Sequence, residues 1–390
     1  MTDDVPTTGL SADPLALLRT RTSSKWSAYP PDVLPMFVAE MDYPLAAPIA
    51  ARLVELIGRS DVSYDSRRPD LGIAFADFAR DAWDWDFEPT TLQATVNVMN
   101  AVTAILRAAI EPGDGIVVNS PIYPPFYGAI DEVGGTVVDV PLLPPDDEHD
   151  WSLDLDGLEA AFVAGAKVYL LCHPHNPIGL PHPRQQLERV AELAEQYGVL
   201  VVSDEIHGAL THSDAEFVPY LAVSEAARAT GVAVTSASKA FNLAGLGCGW
   251  WIPGSTTVEK RLKRIPPSTV HRTAHIGVHA ATAAFNESRE WLAGAVESIE
   301  SNRELLGVLL AEHLPEVIYH EPHASYLAWL DFRALGWGDD PAKRILERGR
   351  VALTGGLPFG KSAGKGIARI NFACSPEVLE DGVLRIASAR

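Results

Sequence analysis

Cysteine is scarce in this chain. Its 390 residues hold three, Cys172, Cys248 and Cys374, far apart and without a CxxC pair. Three thiols cannot all pair within one chain, so a disulfide framework is not expected and a reduced, cytoplasmic setting is. Positive charge is also short: 31 Lys and Arg face 51 Asp and Glu, a net charge of −20. A surface this acidic repels phosphates, which argues against nucleic acid or an anionic membrane as partner. No apolar run reaches the roughly 20 residues a membrane span needs. The opening MTDDVPTTGL lacks the basic and apolar regions of a signal peptide. Internal repeats and low-complexity segments are missing as well, and LLPPDDEHD (142–150) reads as a surface loop.

What is present is a chain that is 47% hydrophobic and long enough for a large domain and a smaller one. Five short apolar runs read as buried strands: GIVVNS (115–120), TVVDVPL (136–142), KVYLLC (167–172), VLVVSD (199–204) and VAVTS (232–236). They lack polar alternation, the pattern of a parallel sheet covered on both faces. Helical stretches lie between them. In RQQLERVAELAEQYG, Leu187, Val190, Leu193, Ala194 and Tyr197 share one face, and Gly198 stands where a C-cap belongs. Strand–helix alternation predicts an α/β fold, a doubly wound and mostly parallel sheet that binds ligands at the carboxyl ends of its strands. From about 275 onward, a long helical stretch (roughly 277–313), SYLAWLDF, a further helix and GIARINFA predict a smaller α+β domain. The expected division is a large domain over 36–275 and a small one over 1–35 and 276–390.

Chemistry-bearing residues sit just past three consecutive candidate strands. HPHNPIGL follows KVYLLC and brings Asn176. VLVVSDEIHGAL brings Asp204 and His207. VAVTSASKAF brings Lys239. A lysine taken alone is a surface residue, and an aspartate after a strand is commonly a helix N-cap. An amide, a carboxylate and an amine delivered to one sheet edge have a joint use. An amine binds an aldehyde, a carboxylate keeps a pyridinium nitrogen protonated, and an amide or imidazole tunes the ring's phenolic oxygen. Pyridoxal 5′-phosphate needs all three. A rival signal, His271, His275 and His279 in HRTAHIGVHA, has metal-ligand spacing. Three ligands spread over two helical turns diverge, and no Cys or carboxylate cluster accompanies them, so no metal site is expected.

HNPIG, SDEIH and SASKAF, in this order and with 28 and 35 residues between Asn176, Asp204 and Lys239, resemble the fold-type I pyridoxal-phosphate enzymes of the class I/II aminotransferase superfamily. The resemblance runs from MFVAEMDYPLA to RINFA. It implies that Lys239 bonds the cofactor's aldehyde, Asp204 pairs with the ring nitrogen and Asn176 contacts the ring oxygen. It gives His207 the position where most aminotransferases carry Tyr. Tyr123, in SPIYPPFYGAI, matches the aromatic that stacks on the ring. The amides of Val98 and Met99, opening a helix, would cradle the phosphate, with Ser236 and Ser238 adding hydroxyls. Tyr64 matches a tyrosine that reaches into a neighbouring subunit's site, which implies a homodimer. Arg369 matches the arginine that grips the substrate's α-carboxylate, a planar anion suited to a guanidinium.

One departure narrows the resemblance. Gly247 stands eight residues after Lys239, where typical aminotransferases carry a phosphate-binding arginine. With SDEIH, FNLAGL and VAEMDY, this is similar to the MalY/PatB branch of cystathionine β-lyase-like C–S lyases, in which Asp is usual where Glu40 stands. The branch implies β-elimination: Lys239 removes the Cα proton, a thiolate leaves Cβ, and pyruvate and ammonia follow. The substrate would be cystathionine or a related cysteine S-conjugate. A class I/II aminotransferase, and a cofactor-binding protein acting through a protein partner, stay open beside that reading.

Overall fold

The computed structural model describes residues 9–66, 69–145 and 150–390. Most of the acidic N-terminal stretch (1–8) and part of the expected 142–150 loop (146–149) lie outside the described residues. A seven-stranded sheet forms the larger layer. Its strands are β1 (Gln93–Thr95), β2 (Gly115–Val118), β3 (Thr136–Asp139), β4 (Val168–Cys172), β5 (Leu200–Asp204), β6 (Gly231–Thr235) and β7 (Gly249–Pro253). Their spatial order is β1-β7-β6-β5-β4-β2-β3. The run from β6 to β3 is parallel, whereas β7 runs antiparallel to both β6 and β1.

The unbroken apolar character of β4, β5 and β6 has a direct cause: every residue in them is buried. Val168, Leu170, Leu200, Val202, Val232 and Val234 face one core, which helix α1 (Val98–Ala109) closes. Tyr169, Leu171, Val201 and Ala233 face the other, against helix α2 (Arg184–Tyr197). Successive side chains thus enter opposite layers, and neither face is left for water. Helix α2 ends as expected, with Gly198 in the left-handed region at φ 69°. The run TVVDVPL is a correction. Its strand β3 is the sheet edge, with Thr136, Val137 and Asp139 exposed. Its composition matches that of the buried strands, and composition does not report position in the sheet.

Beyond the sheet, the stretch expected as one long helix divides at Ser288 into α4 (His275–Glu287) and α5 (Arg289–His313), following the four-residue α3 (Ala237–Ala240). Ser288 has non-helical backbone angles, φ −127° and ψ 20°. A second, antiparallel sheet follows: β8 (Ile318–Tyr319), β9 (Leu327–Asp331), β10 (Thr354–Gly355) and β11 (Ile367–Asn371), ordered β10-β11-β9-β8. Helix α6 (Pro376–Ser388) packs on α5. The N-terminal segment joins this part of the chain, where Leu34 and Pro35 pair in parallel with Val351 and Ala352. One hydrophobic core is continuous from the large sheet into the region of the small one. That continuity fixes where the carboxyl ends of β4–β6 meet β11.

Candidate active site

Parallel neighbours in register put the three motifs side by side. Cys172 pairs with Asp204, and Asp204 with Val234, so the loops after β4, β5 and β6 open into one space. A cavity of about 340 Å³ lies there. Ten of the eleven residues that the sequence nominates line it: Tyr123, Asn176, Asp204, His207, Ser236, Ser238, Lys239 and Arg369, with Val98 and Met99 at the N-terminus of α1. Tyr64 does not. It is 90% exposed, on a segment bridged to Ala274.

The charges of the cavity are set by its burial. Lys239 leaves α3 and donates from Nζ to the Ala39 carbonyl at 2.9 Å. Burial, reinforced by the Arg369 cation and opposed by Glu40 and Asp204, pulls its amine down to about 8. The neutral form is therefore far more accessible near pH 7 than in an ordinary lysine, at about a tenth of the population. Asp204 accepts the Ile206 N–H at 3.2 Å, and burial raises its carboxyl to about 7. His207 is buried with Nδ1 unpartnered. Burial first, then the Lys239 and Arg369 cations, lowers it to about 3, so it is a neutral imidazole. Tyr123, packed edge-on against Phe126, has its phenol raised by burial and by the Asp204 carboxylate.

Arg369 comes from β11 and is buried. It donates from Nη1 to Asn176 Oδ1 at 2.9 Å and from Nη2 to the Phe37 carbonyl at 3.2 Å. The Phe359 ring lies 5.0 Å from its guanidinium carbon. Burial lowers it to about 10, and among the described residues Nε has no partner. Among those residues its hydrogen-bond partners are the neutral oxygens of Asn176, Phe37 and Thr354, so the cation is balanced only at a distance. Such a guanidinium is prepared for an anion that arrives with a ligand.

The opposite end of the cavity is a helix terminus. Asn97 caps α1 by accepting the Asn100 N–H at 2.8 Å. The N–H groups of Val98 and Met99 have no acceptor within the helix, and the positive end of the helix dipole points the same way. Ser236 is largely committed: its Oγ donates to the Cys248 carbonyl at 2.6 Å and accepts the Ser238 N–H at 3.0 Å. Gly249 brings β7 against this terminus, where a Cβ would lie 2.6 Å from the Asn97 carbonyl carbon and 2.7 Å from Val98 N. Gly247 has φ +62°, and a Cβ there would make only ordinary contacts, the nearest with the Val96 carbonyl oxygen at 3.7 Å.

Sequence reasoning missed Val38, Ala39, Asn97, Cys172, Ile206 and Cys248, all of which line the cavity. Ile206 was findable, because it lies two residues after Asp204 on the same motif. Ala39 contributes a carbonyl, which leaves no side-chain signal. Cys172 and Cys248 are buried free thiols, and burial raises both, Cys248 to about 12. The three histidines with metal spacing do not share a helix: His271 ends a separate turn before α4 begins at His275.

Comparison with known proteins agrees with this geometry. A Mycobacterium tuberculosis protein provisionally named a cystathionine β-lyase is 40% identical, over 94% of this chain and 94% of its own. The cystathionine β-lyase of Corynebacterium glutamicum is 31% identical over 95% and 97%. A solved structure from Corynebacterium diphtheriae, provisionally identified as a PLP-dependent β-cystathionase, superposes with a TM-score of 0.90. It is 28% identical over 98% of this chain and 99% of its own. The aminotransferase class I and II family model matches residues 42–386, and the chain belongs to that family.

Proposed function

We propose that this protein is a pyridoxal 5′-phosphate-dependent carbon–sulfur β-lyase that cleaves L-cystathionine or related cysteine S-conjugates to a thiol, pyruvate and ammonia. The observation that carries it is the convergence of Lys239, Asp204, Asn176 and Arg369 with a helix N-terminus in one cavity. The residues fit the cofactor. Asp204 is a buried carboxylate without a cationic hydrogen-bond partner, His207 has an orphaned ring nitrogen, and the α1 terminus offers free amides. Lys239 would hold the aldehyde, Asp204 the ring nitrogen, Asn176 and His207 the ring oxygen, and Tyr123 one ring face. Val98, Met99, Ser236 and Ser238 would hold the phosphate. When bound, the pyridinium supplies an electron sink for the carbanion that proton removal leaves at Cα.

The chain's own residues do the rest. Arg369 binds the α-carboxylate through two parallel N–H donors. The Lys239 amine, whose neutral form is favoured by its burial, takes the Cα proton. The Cβ–S bond then breaks with its electron pair on sulfur. The unsaturated amino acid left behind hydrolyses to pyruvate and ammonia. Relatives at 31–40% identity carry the cystathionine β-lyase name, which supports elimination over transfer. A homodimer agrees with the exposure of Tyr64 and of the apolar Val54, Ile57 and Val62 in the same stretch of chain. A large domain over 36–275, a small one over 1–35 and 276–390, and a cytoplasmic location complete the reading. The test is pyruvate release from L-cystathionine by cofactor-loaded protein without any 2-oxo acid. Turnover that strictly requires a 2-oxo acid acceptor would replace this reading with an aminotransferase.

A further inference from the structure

The segment Met36–Asp42 lines the cavity at Val38 and Ala39, where it bends with Glu40 N–H donating to Val38 O, and every one of its seven carbonyls accepts a hydrogen bond. At its near end, the Asn371 N–H donates to Met36 O at 2.9 Å. Phe37 O takes Thr354 Oγ1 at 2.6 Å and Arg369 Nη2 at 3.2 Å. Ala39 O takes Lys239 Nζ. At the far end, Lys25, 2% exposed, donates to Glu40 O at 3.1 Å and to the buried Asp42 carboxylate at 2.7 Å. Asn242 grips Met41 from both sides, accepting its N–H at 3.0 Å and donating to its carbonyl at 2.9 Å. The Lys239 amine and the Arg369 guanidinium therefore rest on one stretch of backbone.

Within this network one side chain has a particular position. Asn371 Nδ2 donates to Val38 O at 2.7 Å and to Glu40 O at 2.7 Å, the two carbonyls flanking Ala39. Its amide orientation is fixed, because Oδ1 accepts the Ala373 N–H at 2.8 Å. Asn371 is two residues beyond Arg369 on β11, so both side chains leave the strand on the same face. The peptide between them is held through its own N–H, because Glu40 N donates to Val38 O at 2.9 Å, and Asn371 fixes both that acceptor and the next carbonyl along. The direction of the Ala39 carbonyl is set this way, and with it the acceptor that Lys239 Nζ meets.

We propose that Asn371 is a positioning residue for Lys239. By clamping Val38 and Glu40, it aims the Ala39 carbonyl so that the lysine amine donates one N–H there and keeps its lone pair for the Cα proton. The inference rests on the reading of Lys239 as the base, and it needs no C–S cleavage. Displacing a reacting atom by a fraction of an ångström slows proton transfer without altering what binds. Asn371 holds the Val38 and Glu40 carbonyls, whereas Arg369 holds that of Phe37, so substrate half-saturation and exchange rate report the two roles separately.

The test is exchange of the Cα proton of L-alanine for deuterium by the holoenzyme in D2O, which proceeds whether or not the enzyme is a lyase. Native protein that exchanges alanine but releases no pyruvate from cystathionine would sink the lyase reading alone. For N371A, the saturating exchange rate should fall by about three- to tenfold, the equivalent of one lost hydrogen bond. Cofactor occupancy and half-saturation by alanine should stay within about twofold, a split that general structural damage would not produce. Should N371A fail to fold, N371D keeps the shape and the Oδ1 acceptor but lacks the donor, and the same loss is expected. Exchange at the native rate in either variant, or a loss that merely tracks missing cofactor, overturns the proposal.

Discussion

Replacing Gly249 by alanine probes the cofactor site through backbone packing alone. The added Cβ would meet the Asn97 carbonyl carbon at 2.6 Å, Val98 N at 2.7 Å and Asn97 Cα at 2.9 Å. All three are backbone atoms, so no side chain can rotate away. Ordinary contact requires the helix terminus to retreat by about 0.8 Å, an overpacking cost of about 1–3 kcal/mol. The displaced atoms belong to the cap and first residue of α1, whose amides are proposed to hold the phosphate. A hydrogen bond to a charged group contributes about 1.5–3 kcal/mol. Spoiling one should weaken pyridoxal phosphate binding by about 10- to 100-fold. The assay is titration of apoprotein with the cofactor, followed by its yellow absorbance band, alongside thermal unfolding. Gly245→Ala is the control, because nothing lies within 4 Å of its added methyl and its φ is not in the left-handed region. If G249A binds the cofactor as tightly as the native chain, the α1 terminus is not the phosphate cradle.

Three further outcomes follow from the charges of the cavity. Lys239→Ala should lose both the yellow band of the bound cofactor and all pyruvate release, measured by absorbance and a coupled assay. Arg369→Lys keeps a positive charge but loses the paired donors, so KM for the amino acid should rise by about tenfold or more, with kcat less affected. The pH dependence of cofactor capture by apoprotein reports the Lys239 amine. Only the neutral amine attacks the aldehyde, and burial lowers the group to about 8. The capture rate should climb about tenfold per pH unit up to about 8 and then level off. A rate still climbing at the same slope toward pH 10 would mean an unperturbed lysine.

How much of this was legible in the sequence depended on where each signal resided. β4, β5 and β6 announced themselves because burial on both faces removes polar alternation. Their motifs could be ordered because parallel strands all end at the same edge. Strand β7 escaped notice, since GWWIP opens on Gly and closes on Pro and so resembles a turn. Its glycine is explained only by the approach of Asn97, a contact 152 residues away in the chain. β3 was misplaced because an edge strand can be as apolar as a central one. The segment at 36–42 was noticed for its motif, yet its role belongs to carbonyls, which every residue possesses. Asn371 acquires meaning only from the register that points it the same way as Arg369.

The charge of the molecule and the charge of its site run in opposite directions, and that contrast bears on the missing arginine. The chain carries a net charge of −20. The cavity, however, holds Lys239 and Arg369 against the single carboxylate of Asp204, with His207 neutral. Ligands with a phosphate and a carboxylate thus meet the Arg369 cation inside, where low dielectric strengthens its field. At Gly247, the backbone adopts φ +62°, a conformation that costs an L side chain about 1–2 kcal/mol. An arginine there would have to overcome that strain before it paired with anything. The dipole of α1, equivalent to about half a positive charge at its N-terminus, faces the same space without strain. On the proposed reading, backbone polarity at α1 would serve the phosphate in place of a side chain at Gly247, and Gly249 is the residue that lets β7 approach that terminus closely.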